Sequence, residues 1–135
     1  MTIPMRLDSA LVPIFKTLAN GFEEISKHIT NSVLMEFIFA LKKQNKDLEN
    51  LLFTLENEPT LATTLDNDDF HDTMISLEDT LEEMLSVAKK HQNKTDIFKE
   101  FYNICDTLYS NTIILANEVS AVASEIRYEE SKLAS

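Results

Sequence analysis

Turn-forming residues are scarce in this sequence: one glycine and three prolines occur in 135 residues. Sandwiches, barrels and dinucleotide-binding folds need many such residues, so their scarcity argues for long helices joined by few connections. One glycine also cannot build a glycine-rich phosphate loop. The single cysteine, Cys105, cannot form an internal disulfide, which fits a reducing compartment. There is no tryptophan, and the eight phenylalanines and three tyrosines fall mostly on apolar stripes rather than in a platform for stacking bases. The longest apolar run, 33–41, is nine residues and is interrupted by Glu36. A bilayer span needs roughly 20. Residues 1–15 carry Pro4, Arg6, Asp8 and Pro13, without the basic-then-apolar order of a signal peptide. A cytoplasmic protein without membrane contact is expected.

Positive charge is scarce too. The formal net charge is −11, which opposes binding to nucleic acid or to an anionic membrane surface and suits a basic protein partner. The deficit is local. Between residues 56 and 83 there are ten acids and no lysine or arginine, while the rest of the chain carries thirteen acids and twelve bases.

What is present is a rhythm. A length of 135 residues fits one domain, 1–135, and 44% apolar content is enough for a core. Four stretches place apolar residues at alternating steps of three and four, which puts one stripe on one face of a helix. The first runs Leu11, Phe15, Leu18, Phe22, Ile25, Ile29. The second runs Leu34, Ile38, Leu41, Asn45, Leu48, Leu52, Leu55, with one polar member. The third runs Phe70, Met74, Leu77, Leu81, Met84, Ala88. The fourth runs Phe98, Phe101, Cys105, Leu108, Thr112, Leu115, Val119, Val122, Ile126. The spacing predicts an all-α protein: an antiparallel up-down four-helix bundle with helices over about 8–29, 32–57, 68–91 and 96–132. Thr30-Asn31-Ser32 offers cap residues before the second helix, and Pro59 expels Glu58 from helical geometry at its end. Residues 60–69 read as a loop with a short turn around 61–65. Lys89, Lys90 and His91 fall in the last turn of the third helix, where cations suit the helix dipole.

Three features do not fit a plain bundle. Gly21 lies inside the first helix and marks a kink or a close contact. The fourth helix would be roughly 55 Å long, at about 1.5 Å per residue, so it either breaks near Ser110-Asn111-Thr112 or projects past its neighbours. The second helix is apolar nearly all round from Val33 to Leu41, more than a bundle position requires. The N-terminal Ile3, Met5 and Leu7 could cover that surplus, or a second copy could. Phe37, Phe39, Val122, Ile126 and Tyr128 are the candidate interface of a homodimer.

Residue patterns for catalysis are weak. Counting an EF-hand loop from Asp66 puts Phe70, His71 and Leu77 where an oxygen ligand, a glycine and a glutamate belong. No Glu-x-x-His pair supports a di-metal core, and His28, His71 and His91 all lie near helix ends, as surface or capping residues would. Cys105 sits in an apolar stripe, where a thiol is inert. Asn45 and Thr112 are polar members of core stripes and would fix register or line a small pocket. No catalytic residue, metal ligand or cofactor is assigned. The expected function is therefore a non-enzymatic interaction module that binds a basic protein, in the manner of an immunity protein or antitoxin, an adaptor or a chaperone. Its partner-binding acids would be Asp66, Asp68, Asp69, Asp72, Glu78, Asp79, Glu82 and Glu83. The alternative is a ligand-binding or magnesium-dependent hydrolytic bundle using Asp79, Glu82 and Glu83.

Overall fold

The computed structural model describes residues 30–134, together with Lys16, Thr17, Asn20, Gly21, Glu24, Lys27 and His28. It is all-helical, with four helices over the continuous part: α1 (Asn31–Asn57), α2 (Leu61–Leu65), α3 (Asp68–His91) and α4 (Asp96–Ala134). Of the helix expected over 8–29, Lys16, Thr17, Asn20, Gly21 and Glu24 are helical, while Lys27 and His28 form a turn in which the Lys27 amide donates to the Glu24 carbonyl at 3.3 Å, so the helix does not continue to 29 as expected; the rest lies outside the described residues. Ile3, Met5 and Leu7, the expected cover for α1, lie outside them as well. No helix among the described residues is long and apolar enough to cross a membrane.

The helix ends follow local chemistry. Thr30 has extended geometry and its Oγ1 accepts from the Val33 amide at 3.3 Å, which satisfies one of the unpaired donors at the start of α1. Glu58 leaves helical geometry before Pro59, and its amide closes the last turn by donating to the Thr54 carbonyl at 2.8 Å. The expected turn around 61–65 is the five-residue α2, which buries Ala62 and Leu65. Asn67 caps α3 by accepting from the Phe70 amide at 2.9 Å.

The stripes become the core. Leu34, Ile38, Leu41, Leu48 and Leu55 of α1, Met74, Leu77, Leu81 and Met84 of α3, and Phe101, Cys105, Leu108, Leu115 and Val119 of α4 are all buried. Each large side chain contributes roughly 1.5–3 kcal/mol relative to exposure. Two seats differ from the expected rhythm. Leu51 is buried where Leu52 was expected, and Ala123 replaces Val122, which is half-buried along with Ile126.

α4 is the shared partner, since α1, α2 and α3 each pack against it. Side-chain pairs give the directions. Lys42 of α1 reaches Glu100 at 2.7 Å and Asn45 accepts from Asn111 at 2.7 Å, while Leu55 and Val122 line one groove further on, so α1 and α4 run parallel. His91 stacks near Phe98 and Asp66, beside the start of α3, meets Arg127, so α3 and α4 run antiparallel.

α4 does not break at Ser110-Asn111-Thr112. It is one helix of 39 residues, roughly 58 Å long, against 27 residues in α1 and 24 in α3. The buried Thr112 hydroxyl donates to the Leu108 carbonyl at 2.7 Å, which satisfies it inside the helix. From Arg127 to Ala134 every residue is exposed, so the final two turns extend beyond the core.

Candidate functional site

The acidic residues of α3 form an outward stripe. Asp68, Asp72, Ile75, Asp79 and Glu82 follow one another at steps of 4, 3, 4 and 3, and all are exposed. Glu83 lies beside the stripe, exposed, and Asp69 joins Asp68 in the first turn, near the positive end of the helix dipole. Ile75, 55% exposed, is the one apolar member. Glu78 turns toward α4 and is half-buried; burial, and then the charge of Asp79, push its carboxyl above the ordinary range. Tyr109 of α4 lies beside this face. Its phenol is pushed up by burial and then by the charges of Glu82, Glu78 and Asp79. Among the described residues none of the α3 acids makes an ion pair.

Asp66, expected with them, plays a different part. Its carboxylate is mostly buried and is held by His71 Nε2 on one oxygen and by Arg127 Nη1 on the other, with Arg127 Nη2 also donating to the Asp66 carbonyl at 3.5 Å. These two side-chain bonds hold its pKa below the ordinary carboxylate range. Asp66 thus fastens the turn before α3 to α4 across 61 positions of sequence.

A concave surface lies between the end of α1 and the last third of α4. It is a groove of about 480 Å³. Its floor is apolar, made by Leu55, Val122 and Ile126, with Pro59 and Leu133 toward the end. Its rim is five glutamates: Glu56 from α1, and Glu118, Glu125, Glu129 and Glu130 from α4. Among the described residues no lysine or arginine lines it, and none of the five makes an ion pair. The described residues contain no group of three or more histidines, cysteines or acids arranged to hold a metal ion, and this applies to Asp79, Glu82 and Glu83 as well.

No protein-family model, curated protein or solved structure matches this chain. The site therefore rests on its own geometry.

That geometry divides the expected dimer residues. Val122 and Ile126 are in the groove floor, and Phe37 is half-buried against the core. Phe39 is 73% exposed and Tyr128 62% exposed. Phe39 and Leu55 are both on α1, roughly 24 Å apart along its axis, so Phe39 and the groove are separate surfaces.

The polar core positions act as connectors. Asn45 accepts from Asn111 across the α1–α4 contact and donates to Glu49 at 3.1 Å, which fixes the register of the two parallel helices. Cys105 is fully buried, its thiol pushed up to about 12 chiefly by burial. His91 is a correction to the reading of terminal histidines as surface or capping residues. It is 5% exposed and its ring lies 6.3 Å from that of Phe98, because the short connection folds the end of α3 onto the start of α4. The groove glutamates were not legible as a set. Glu56 was counted with the acid span and Glu118, Glu125 and Glu129 with the nearly neutral remainder. The one available signal was the recurrence of the latter three at intervals of seven and four beside Val122 and Ile126.

Proposed function

We propose that the chain is a non-enzymatic protein–protein interaction module, a small acidic helical protein that binds a basic protein partner in the cytoplasm. An immunity protein or antitoxin masking a basic toxin, an adaptor and a secretion chaperone are the concrete forms this can take. We place residues 8–29 as the first member of an antiparallel up-down four-helix bundle whose other members are α1, α3 and α4. Any homodimer is assigned to the Phe39 surface of α1, apart from the acids.

The observation that carries the reading is the α3 stripe: exposed Asp68, Asp72, Asp79 and Glu82 around an exposed Ile75, with no ion pair among the described residues. Exposed acids of one sign attract a basic partner and speed its encounter. The apolar residue among them offers contact area that water does not reward. Nucleic acid is disfavoured as a partner by the same charge.

The test is capture from the native host by the tagged chain and by a variant carrying Glu78→Gln, Asp79→Asn, Glu82→Gln and Glu83→Gln. The variant should keep its helical circular dichroism and thermal transition while capturing less of a basic protein, with the difference vanishing as salt is raised. Equal capture by both proteins at low salt would reduce the stripe to a solvated face.

A further inference from the structure

We infer that the groove between α1 and α4 is the docking site for a basic amphipathic helix of the partner protein, an inference that rests on the interaction reading above and gives it an address. Four observations support it.

The first is the floor. Half-buried Val122 and Ile126 present apolar surface over the buried Leu55 in a depression of about 480 Å³, room for a few large apolar side chains. Val122 and Ile126 are one turn apart, and the groove follows α4 over 118–133, roughly 22 Å. That length matches about four turns of an incoming helix.

The second is the rim. Glu56, Glu118, Glu125 and Glu129 flank the floor from both helices, with Glu130 beside them, and among the described residues no base lines the groove. Two nearby bases face elsewhere: Arg127 is committed to Asp66, and Lys132 sits 5.5 Å from the ring of Tyr128. Like charges gathered without counter-charges raise one another's energy, and lysines or arginines on both flanks of an occupant relieve it.

The third is the nature of the walls. Both are helices, whose backbone groups are satisfied internally, so the groove offers no ladder to an extended peptide. An occupant must bring its own satisfied backbone, as a helix does. Apolar anchors at i, i+3 or i+4, and i+7 would meet the floor while basic residues on either side meet the rim. A lipid or other anionic ligand is opposed by the glutamates.

The fourth concerns a second copy. Joining two identical grooves across a two-fold axis would set rim glutamates against rim glutamates, between molecules of net charge −11 each. The same charge favours a basic partner.

The probe is a synthetic peptide of roughly 18 residues, five turns of helix, with leucines at the anchor spacing and lysines and arginines on both flanks. A second peptide of the same pattern carries glutamates in place of the bases. Binding to the full chain is read by fluorescence anisotropy and by backbone chemical-shift changes. The basic peptide should bind with micromolar affinity and shift the amides around Leu55, Val122 and Ile126; the acidic one should not bind. Glu125→Gln with Glu129→Gln, and separately Ile126→Ser, should each weaken binding at least tenfold, in variants whose thermal transitions show them folded. The proposal is overturned if the basic peptide does not bind, or if both peptides bind alike. It is also overturned if the chain associates with itself and Ile126→Ser abolishes that association, because the occupant is then a second copy. Binding that survives the groove variants but is lost with the four α3 substitutions likewise overturns the groove while leaving the interaction reading intact. Unchanged capture from the native host by the α3 variant, with groove-dependent peptide binding, has the opposite meaning.

Discussion

A carboxylate bonded to an arginine and a histidine and largely withdrawn from water is linked to folding differently from one at the surface. Asp66 is 16% exposed and is held by His71 and Arg127, so its ionised form is favoured in the folded chain. Its pKa lies below the ordinary value of 3.8, and the stability it provides is therefore complete above that pH and is lost as pH falls through the depressed value. Asp66→Asn should cost roughly 1.5–3 kcal/mol at pH 7, the range for hydrogen bonds to charged groups, measured by urea unfolding. The gap between the two proteins should close as the pH falls below 3.8 and through the depressed value. A gap that persists in acid would mean that the asparagine disrupts the turn by shape rather than by charge. Glu78 has the opposite sign: burial and Asp79 raise it, so its ionisation opposes the folded state as pH rises through the ordinary value of 4.5.

At the scale of the element, α4 is a helix with two regimes. Its buried positions run from Phe98 to Ala123, and from Arg127 to Ala134 nothing is buried. Hydrogen exchange should divide there. Amides up to about Ala123 should exchange only through global or large-scale opening, and those beyond Tyr128 should exchange faster by several orders of magnitude. Uniform protection along α4 would show that the end is covered. The stripes made the seats of most core residues legible, from Leu34 to Leu48, Phe70 to Ala88 and Phe98 to Val119. They misplaced the end of α4 for a geometric reason. A strict seven-residue rhythm drifts about 20° per heptad around a straight helix, so after three heptads Val122 has rotated away and Ala123, one step on, faces the core. Thr80 falls one step off the Leu77–Leu81 rhythm and His91 suits a cation at the helix end, so neither reads as a core seat, although Thr80 satisfies its hydroxyl on the Ser76 carbonyl at 2.7 Å. The groove was illegible for another reason. It joins Glu56 to glutamates more than sixty positions away, through the direction in which α4 runs past α1, and composition along the chain does not encode that direction.

For the whole molecule, helix direction sorts the charge. The end of α1, the start of α3 and the last third of α4 meet at one end, bringing together Glu56, Asp68, Asp72, Glu118 and Glu125 among others. Lys89, Lys90, Lys94 and Lys99 gather at the opposite end. Repulsion at the acidic end is long-ranged at low ionic strength and is screened as the Debye length falls from about 30 Å at 0.01 M to about 8 Å at 0.15 M. The melting temperature should therefore rise by a few degrees over that interval of sodium chloride. A fall would show that pairs such as Lys42–Glu100 outweigh the repulsion. The placement of α4 also bears on how the chain is made. The helix that α1, α2 and α3 all pack against is the last of the four in chain order. On the ribosome the leucine and methionine stripes of α1 and α3 emerge before the surface that covers them. With translation at about 5–20 residues per second, that exposure lasts seconds, and the nascent chain depends for that interval on its own acids, or on a chaperone, to stay apart from its neighbours.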